Sequence, residues 1–416
     1  MNTKIQQSQL QIYARTALIF LFVTALLGAF LRMQFAYPIP NVNYRFFVHG
    51  HSHVAFLGWA FNGLFFLITR FFFNDYIKRF LRLFVFMQIC MVGMLISFPI
   101  QGYGAVSIIF STGHIIFSVG WIYKVVRLLS GKRYSGKGLL LMALAYLALS
   151  SLGPFFLGVC IIKGLTDTQW YKLSIYYYLH FQYNGWFIMA IIAIIVQYLQ
   201  ESGKGMSVKV IQWVFWTVGA TTIPSFILSA LWMGPDKWLF WASFIIHLVR
   251  LCGLLYLLIE LSRKKIFSEA SGFFKVALVV ALSSLVIKSI LEVAASTPVL
   301  SEMVFNNQNL IIAYLHLVFI GFVTMFLLSF FNLIGFLSPG WFQYLGLALF
   351  LSGFICSEVL LVYPGTAFFI NLPPLDNYFY LLFLSSLLFP LAVPCFFVKN
   401  SKYTKTIKGE RSFKKI

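Results

Sequence analysis

The hydrophobic positions of this chain come in long unbroken runs separated by short polar stretches. A helix that crosses a bilayer needs ~20 consecutive apolar residues, and twelve runs meet that length, at 16–36, 48–71, 80–99, 104–126, 138–162, 174–199, 208–231, 238–261, 272–293, 308–336, 340–362 and 378–398. The ~10-residue alternating segments of a membrane β-barrel are missing. The pattern predicts an all-α integral membrane protein, a single polytopic domain over 1–416 with twelve transmembrane helices.

Composition agrees: 60% of residues are hydrophobic, 10% are charged and the mean hydropathy is +0.87. A soluble domain carries ~25% charged residues, so a water-soluble enzyme or nucleic-acid binder is excluded in spite of a formal charge of +20. Most of the 31 basic residues fall on one side of a twelve-span chain. That side holds the N-terminal arm, the 2/3, 4/5, 6/7 and 8/9 loops and a basic tail at 401–416; the other has only Arg32, Arg45, Lys163, Lys172 and Lys237, while Arg250 and Lys288 lie within spans. Cytoplasmic loops carry such an excess, which predicts both termini in the cytoplasm and makes membrane lipid the partner of the charge. The first run lacks a convincing small-residue cleavage site and reads as a signal anchor. Cys90, Cys160, Cys252, Cys356 and Cys395 sit singly on five spans, with no C-x-x-C, so neither a disulfide framework nor covalently attached haem is expected.

All seven histidines, His49, His51, His53, His114, His180, His247 and His316, lie on even-numbered spans, in their outer halves. His53, His180 and His316 share one depth, roughly 10 Å below the outer helix end at 1.5 Å per residue. Each is followed by four residues, a glycine and an aromatic: Gly58-Trp59, Gly185-Trp186 and Gly321-Phe322. A second pattern, histidine, five residues and glycine, links His114 to Gly120 and His247 to Gly253 on spans 4 and 8. The chain thus reads as three pseudo-repeated four-helix arcs, approximately 1–130, 131–265 and 266–400.

Ionisable residues inside a membrane are costly and mark functional sites, and imidazole is the main axial ligand of b-type haem. On this reading the glycine leaves a gap where a flat macrocycle lies against the backbone, and Trp59 lines its edge. The bland alternative is a histidine bonded to a carbonyl, with glycine serving helix packing. In His49-Gly-His51-Ser-His53, 100° per residue separates His51 from His53 by about 200°, so one helix can ligate two centres on opposite faces. His49 shares the face of His53 and is either part of the site or a plain interface residue. Arg45 is placed for haem propionates or simply solvated. Lys288 and Glu292, four apart, form an intrahelical pair; Arg250 and Glu358 are open to structural or proton-handling roles.

The run Gly50-His51-Ser-His53-Val-Ala-Phe-Leu57-Gly58-Trp59 with Asn62-Gly63 resembles the His-x-His helix of haem-copper oxidase subunit I, over about fifteen residues. The resemblance implies low-spin haem on His53, paired with His316, and high-spin haem on His51. It also implies twelve spans in three arcs and a bacterial-type cytoplasmic membrane. The double-histidine helix is the second here and the tenth in oxidases, so histidine placement is closer to the NnrS family, membrane haem proteins linked to nitric oxide. His180 matches the first copper-ligand position of oxidases, with Tyr176 and Tyr183 nearby, but span 7 lacks the adjacent histidine pair. A proton-pumping terminal oxidase is therefore not expected, and copper, which would need His180, His247 and His114 together, is not expected either. Two functions follow from these residues. One is a membrane haem protein with one or two haem b, exchanging electrons with a redox partner protein or quinol, or handling O2 or NO. The other is a multi-pass transporter with a histidine proton relay.

Overall fold

The computed structural model describes residues 2–266, 271–337, 340–369, 371 and 373–397; the basic tail at 401–416 and the end of the last predicted span lie outside these. Among the described residues there is no strand. Twelve helices are long and apolar enough to cross a membrane: Ser8–Ala36, Tyr44–Phe72, Asn74–Gln101, Ala105–Leu129, Lys137–Ile162, Gln169–Glu201, Val208–Met233, Lys237–Arg263, Gly272–Ala294, Gln308–Leu333, Trp341–Ala367 and Tyr378–Cys395, called spans 1 to 12 below.

Capping side chains set the first turn of several helices, and span 2 begins at Tyr44, ahead of its apolar run. Asn43 accepts a hydrogen bond from the Phe46 amide at the start of span 2, Ser271 from Phe274 at span 9 and Asn307 from Leu310 at span 10. Each satisfies a donor that the helix geometry leaves open. A further short helix, Pro298–Asn306, joins spans 9 and 10; Thr297 precedes a proline at its first turn, where a missing N–H costs nothing.

Spans 2, 6 and 10 form the interior. They bury 89%, 94% and 61% of their most apolar stretch inside the protein, against 22–44% for the other spans. The remaining helices close a ring around them, packing in the order 1, 3, 4, 5, 7, 8, 9, 11, 12 and back to 1. Each four-helix arc thus gives its second helix to the interior and three to the ring. Aromatic contacts knit the interior together: Phe187 against Phe319, Tyr198 against Phe330 and Phe56 against Phe319.

The three interior helices share a local departure. Immediately after His53, His180 and His316 each turns into a π-helix, over Val54–Phe61, Phe181–Phe187 and Leu317–Thr324. Segments bonded i to i+5 are rare and frequent at functional sites.

Candidate functional site

The glycines of the repeat prove to be packing contacts. A Cβ on Gly58 would lie 2.9 Å from Phe20 of span 1, on Gly185 2.6 Å from Tyr146 of span 5 and on Gly321 2.5 Å from Ser284 of span 9. In every arc the first helix fills the groove that the glycine opens. At Gly58, where a macrocycle is expected to lie, the Phe20 side chain stands in the groove. Trp59, buried to 2%, donates to Thr324 Oγ1 at 2.7 Å and packs on Phe331. It joins span 2 to span 10.

His51 and His53 do face opposite ways. His51 donates from Nδ1 to the Thr24 carbonyl of span 1 at 3.1 Å, across Gly28, whose missing side chain lets the imidazole approach. His53 donates from Nδ1 to the His49 carbonyl at 2.9 Å and stacks on Phe98 of span 3 at 4.2 Å. His49 lies on that same face, its ring 4.6 Å from Tyr103. Both His51 and His53 stay half-buried inside the most enclosed stretch of the chain. Neither Nε2 makes a hydrogen bond among the described residues, so each imidazole has its Nδ1–H tied down and its other lone pair free. That is the tautomer a metal ligand needs.

Two compartments follow from the ring order. Beside His53 stands His114 of span 4, within electrostatic range. It is buried, with Phe61 5.3 Å away. Its Nδ1 bonds Ser118 Oγ at 3.3 Å, Ser118 hands its own proton to Met87 Sδ, and His114 Nε2 has no partner. Beside His51 stand His316 of span 10 and Arg32 of span 1. His316 Nδ1 lies 3.8 Å from Glu358 Oε1 of span 11, too far for a hydrogen bond, and both atoms are buried without a partner. His316, which the resemblance pairs with His53, stands on the His51 side of span 2. Spans 3 and 4 flank the His53 face of span 2, whereas spans 1 and 10 flank that of His51.

The second arc is built differently. His180 donates from Nε2 to the Thr222 carbonyl at 2.9 Å and accepts at Nδ1 from Asn184 at 3.2 Å. Both nitrogens of His180 are thus engaged within the protein, unlike those of His51 and His53. Asn184 Oδ1 accepts from Lys288, which pairs with Glu292 at 2.7 Å as the four-residue spacing predicts. Tyr314 donates to Glu292 at 2.9 Å, and the buried Arg250 bonds the Val218 carbonyl and Thr222 Oγ1, each at 2.7 Å. His247 donates from Nδ1 to the Ser243 carbonyl at 2.8 Å and has a partnerless Nε2. His180 and His247 are electrostatic neighbours, but His114 belongs to the first arc. Among the described residues no three His, Cys, Asp or Glu side chains converge as a metal-holding group.

Arg45 is exposed and donates to Tyr171 Oη at 3.3 Å, within range of His49, so it ties the outer ends of spans 2 and 6. Arg32, Tyr314 and Asn184 were not singled out by the sequence. For Arg32 a signal existed, an arginine inside the last turn of an apolar run; for the other two none did. The cysteines are free thiols. No protein-family model matches the chain, and no curated protein matches it.

Proposed function

We propose that this multi-pass membrane protein binds b-type haem on the two faces of span 2 and acts in electron transfer or in handling O2 or NO. His53 and His114 would hold one haem; His51, with His316 across from it, would hold a second. The observation that carries the reading is the set of imidazoles with Nδ1 engaged and Nε2 free at His51, His53 and His114. Haem held there would supply one-electron chemistry and affinity for a diatomic gas. The protein's own part is to fix each ring through Thr24, His49 and Ser118, and to shield it with Phe98 and Phe61. Electrons would come from a redox partner protein or quinol, and four-electron proton-pumping oxidase chemistry is not part of the proposal. We propose both termini on the cytoplasmic side, from the basic-residue asymmetry, and a bacterial-type cytoplasmic membrane, from the resemblance of the span 2 motif.

A transporter with a proton relay is the second reading, favoured by the buried Lys288–Glu292–Arg250 group. Optical spectra of the purified protein, oxidised and dithionite-reduced, decide between them. A Soret band with a sharp reduced α-band is expected, and no Soret absorbance after haem supplementation would sink the haem reading. Reporter fusions after Lys415 and in the 4/5 loop should report the cytoplasm, and one near Asp167 the outside.

A further inference from the structure

A cavity of about 400 Å³ lies between spans 6, 7, 9, 10 and 11, within the ~300–1,000 Å³ of small-molecule sites. We propose that it binds a neutral, bilayer-dissolved hydroquinone carrying an apolar chain.

Four observations select that class. The lining is mostly apolar, and two of its residues, Leu291 of span 9 and Val362 of span 11, are 44% and 36% exposed. The cavity therefore reaches the lipid between spans 9 and 11, so its ligand arrives through the hydrocarbon. Toward the outside it is roofed by the short helix Pro298–Asn306, held by Phe305 stacked on Trp232 at 4.2 Å with Lys172 over both rings. No lysine or arginine lines the cavity, while the carboxyls of Glu292 and Glu358 do, which disfavours an anion. Glu292 is already matched by Lys288, and Glu358 faces His316 Nδ1 at 3.8 Å, so neither carboxyl stands open to a cation. What remains is a demand for a hydroxyl donor: Glu358 Oε1 is buried with no hydrogen-bond partner, a state that is unfavourable until a donor arrives. Tyr176, Trp232 and Phe305, with ring centroids within 6.5 Å of one another, suit a flat aromatic head.

Binding itself does not depend on the haem reading; that the hydroquinone is the electron donor does rest on it. The test is calorimetric titration of the protein in nanodiscs with a decyl-substituted benzohydroquinone, and with decylbenzene as the oxygen-free probe. Saturable binding of the hydroquinone, at least tenfold tighter than decylbenzene, is expected. Ala313→Phe, which fills the cavity, should weaken it tenfold or more, and Glu358→Leu several-fold. Where Ala313→Phe does not fold, Met303→Trp in the roof helix takes its place. Equal binding of both probes would make the cavity a lipid-chain niche, and undiminished binding in the filled variant would place the ligand elsewhere; either overturns the proposal. The titration is repeated with His51→Ala/His53→Ala protein. Hydroquinone binding that persists there, in a protein whose wild type shows no Soret band, would remove the haem reading alone.

Discussion

His53 and His180 occupy the same place in two repeats, the last residue before a π-helical segment, yet they end in opposite chemical states. The residue four positions on makes the difference. In the first arc it is Leu57, which leaves the imidazole to bond its own helix through Nδ1 and keep Nε2 free. In the second it is Asn184, whose amide donates to Nδ1 and so fixes the proton on Nε2, where Thr222 takes it. Asn184 cannot turn round, because Lys288 holds its oxygen. A repeat therefore hands down position; a single neighbour decides whether the imidazole there keeps a free nitrogen or has both engaged.

The largest effect should come from breaking each histidine in turn. His53→Ala should remove the sharp reduced α-band almost completely, and His114→Ala should remove the same band, while His180→Ala should leave haem per protein unchanged and lower thermal stability instead. Equal haem loss in all three variants would erase the contrast between the arcs.

Next in size is the ion pair that distinguishes the second arc. Lys288→Met leaves Glu292 buried with one partner fewer, and removing one member of such a pair costs about 3–5 kcal/mol. The expected outcome is a marked fall in the detergent melting temperature, recovered in large part by Lys288→Met/Glu292→Leu. A melting temperature unchanged by the single substitution would show that the pair is hydrated.

Leu57→Asn sharpens the comparison by giving the first arc the device of the second. An amide donating to His53 Nδ1 should shift its proton to Nε2 and lower haem occupancy several-fold, read as the Soret-to-protein ratio. Gly58→Ala places a methyl against Phe20, and overpacking of this kind costs about 1–3 kcal/mol; a drop in melting temperature without a change in the α-band is expected. Smallest should be His49→Ala, which keeps the carbonyl that His53 bonds and should only broaden the band.

The spans were legible in the sequence because twenty apolar residues can do little else but cross a bilayer, and the three arcs were legible because histidine, glycine and aromatic recur in register. The opposed faces of His51 and His53 followed from helical geometry alone. What could not be read was who stands opposite. Gly58 announces a close approach without naming Phe20, and the partners of His51 and His53 depend on the ring order of spans 1, 3, 4 and 10. The π-helical segments also left no readable mark, since what the residues after His53, His180 and His316 share, a glycine and two aromatics, is no rule for an i to i+5 turn.

Those segments carry a consequence for how the interior helices are phased. Holding one residue more than an α-helical path would, a π turn rotates everything below it by ~100° relative to what lies above. The outer end of span 2, with His51 and His53, and the inner end, with Phe65 and Phe66 in the core, are thus clocked separately. Deleting one residue between 54 and 61 would rejoin the two halves into a single α-helix. The lower half would then keep its fit with spans 6 and 10 only by swinging the two imidazoles away from their compartments.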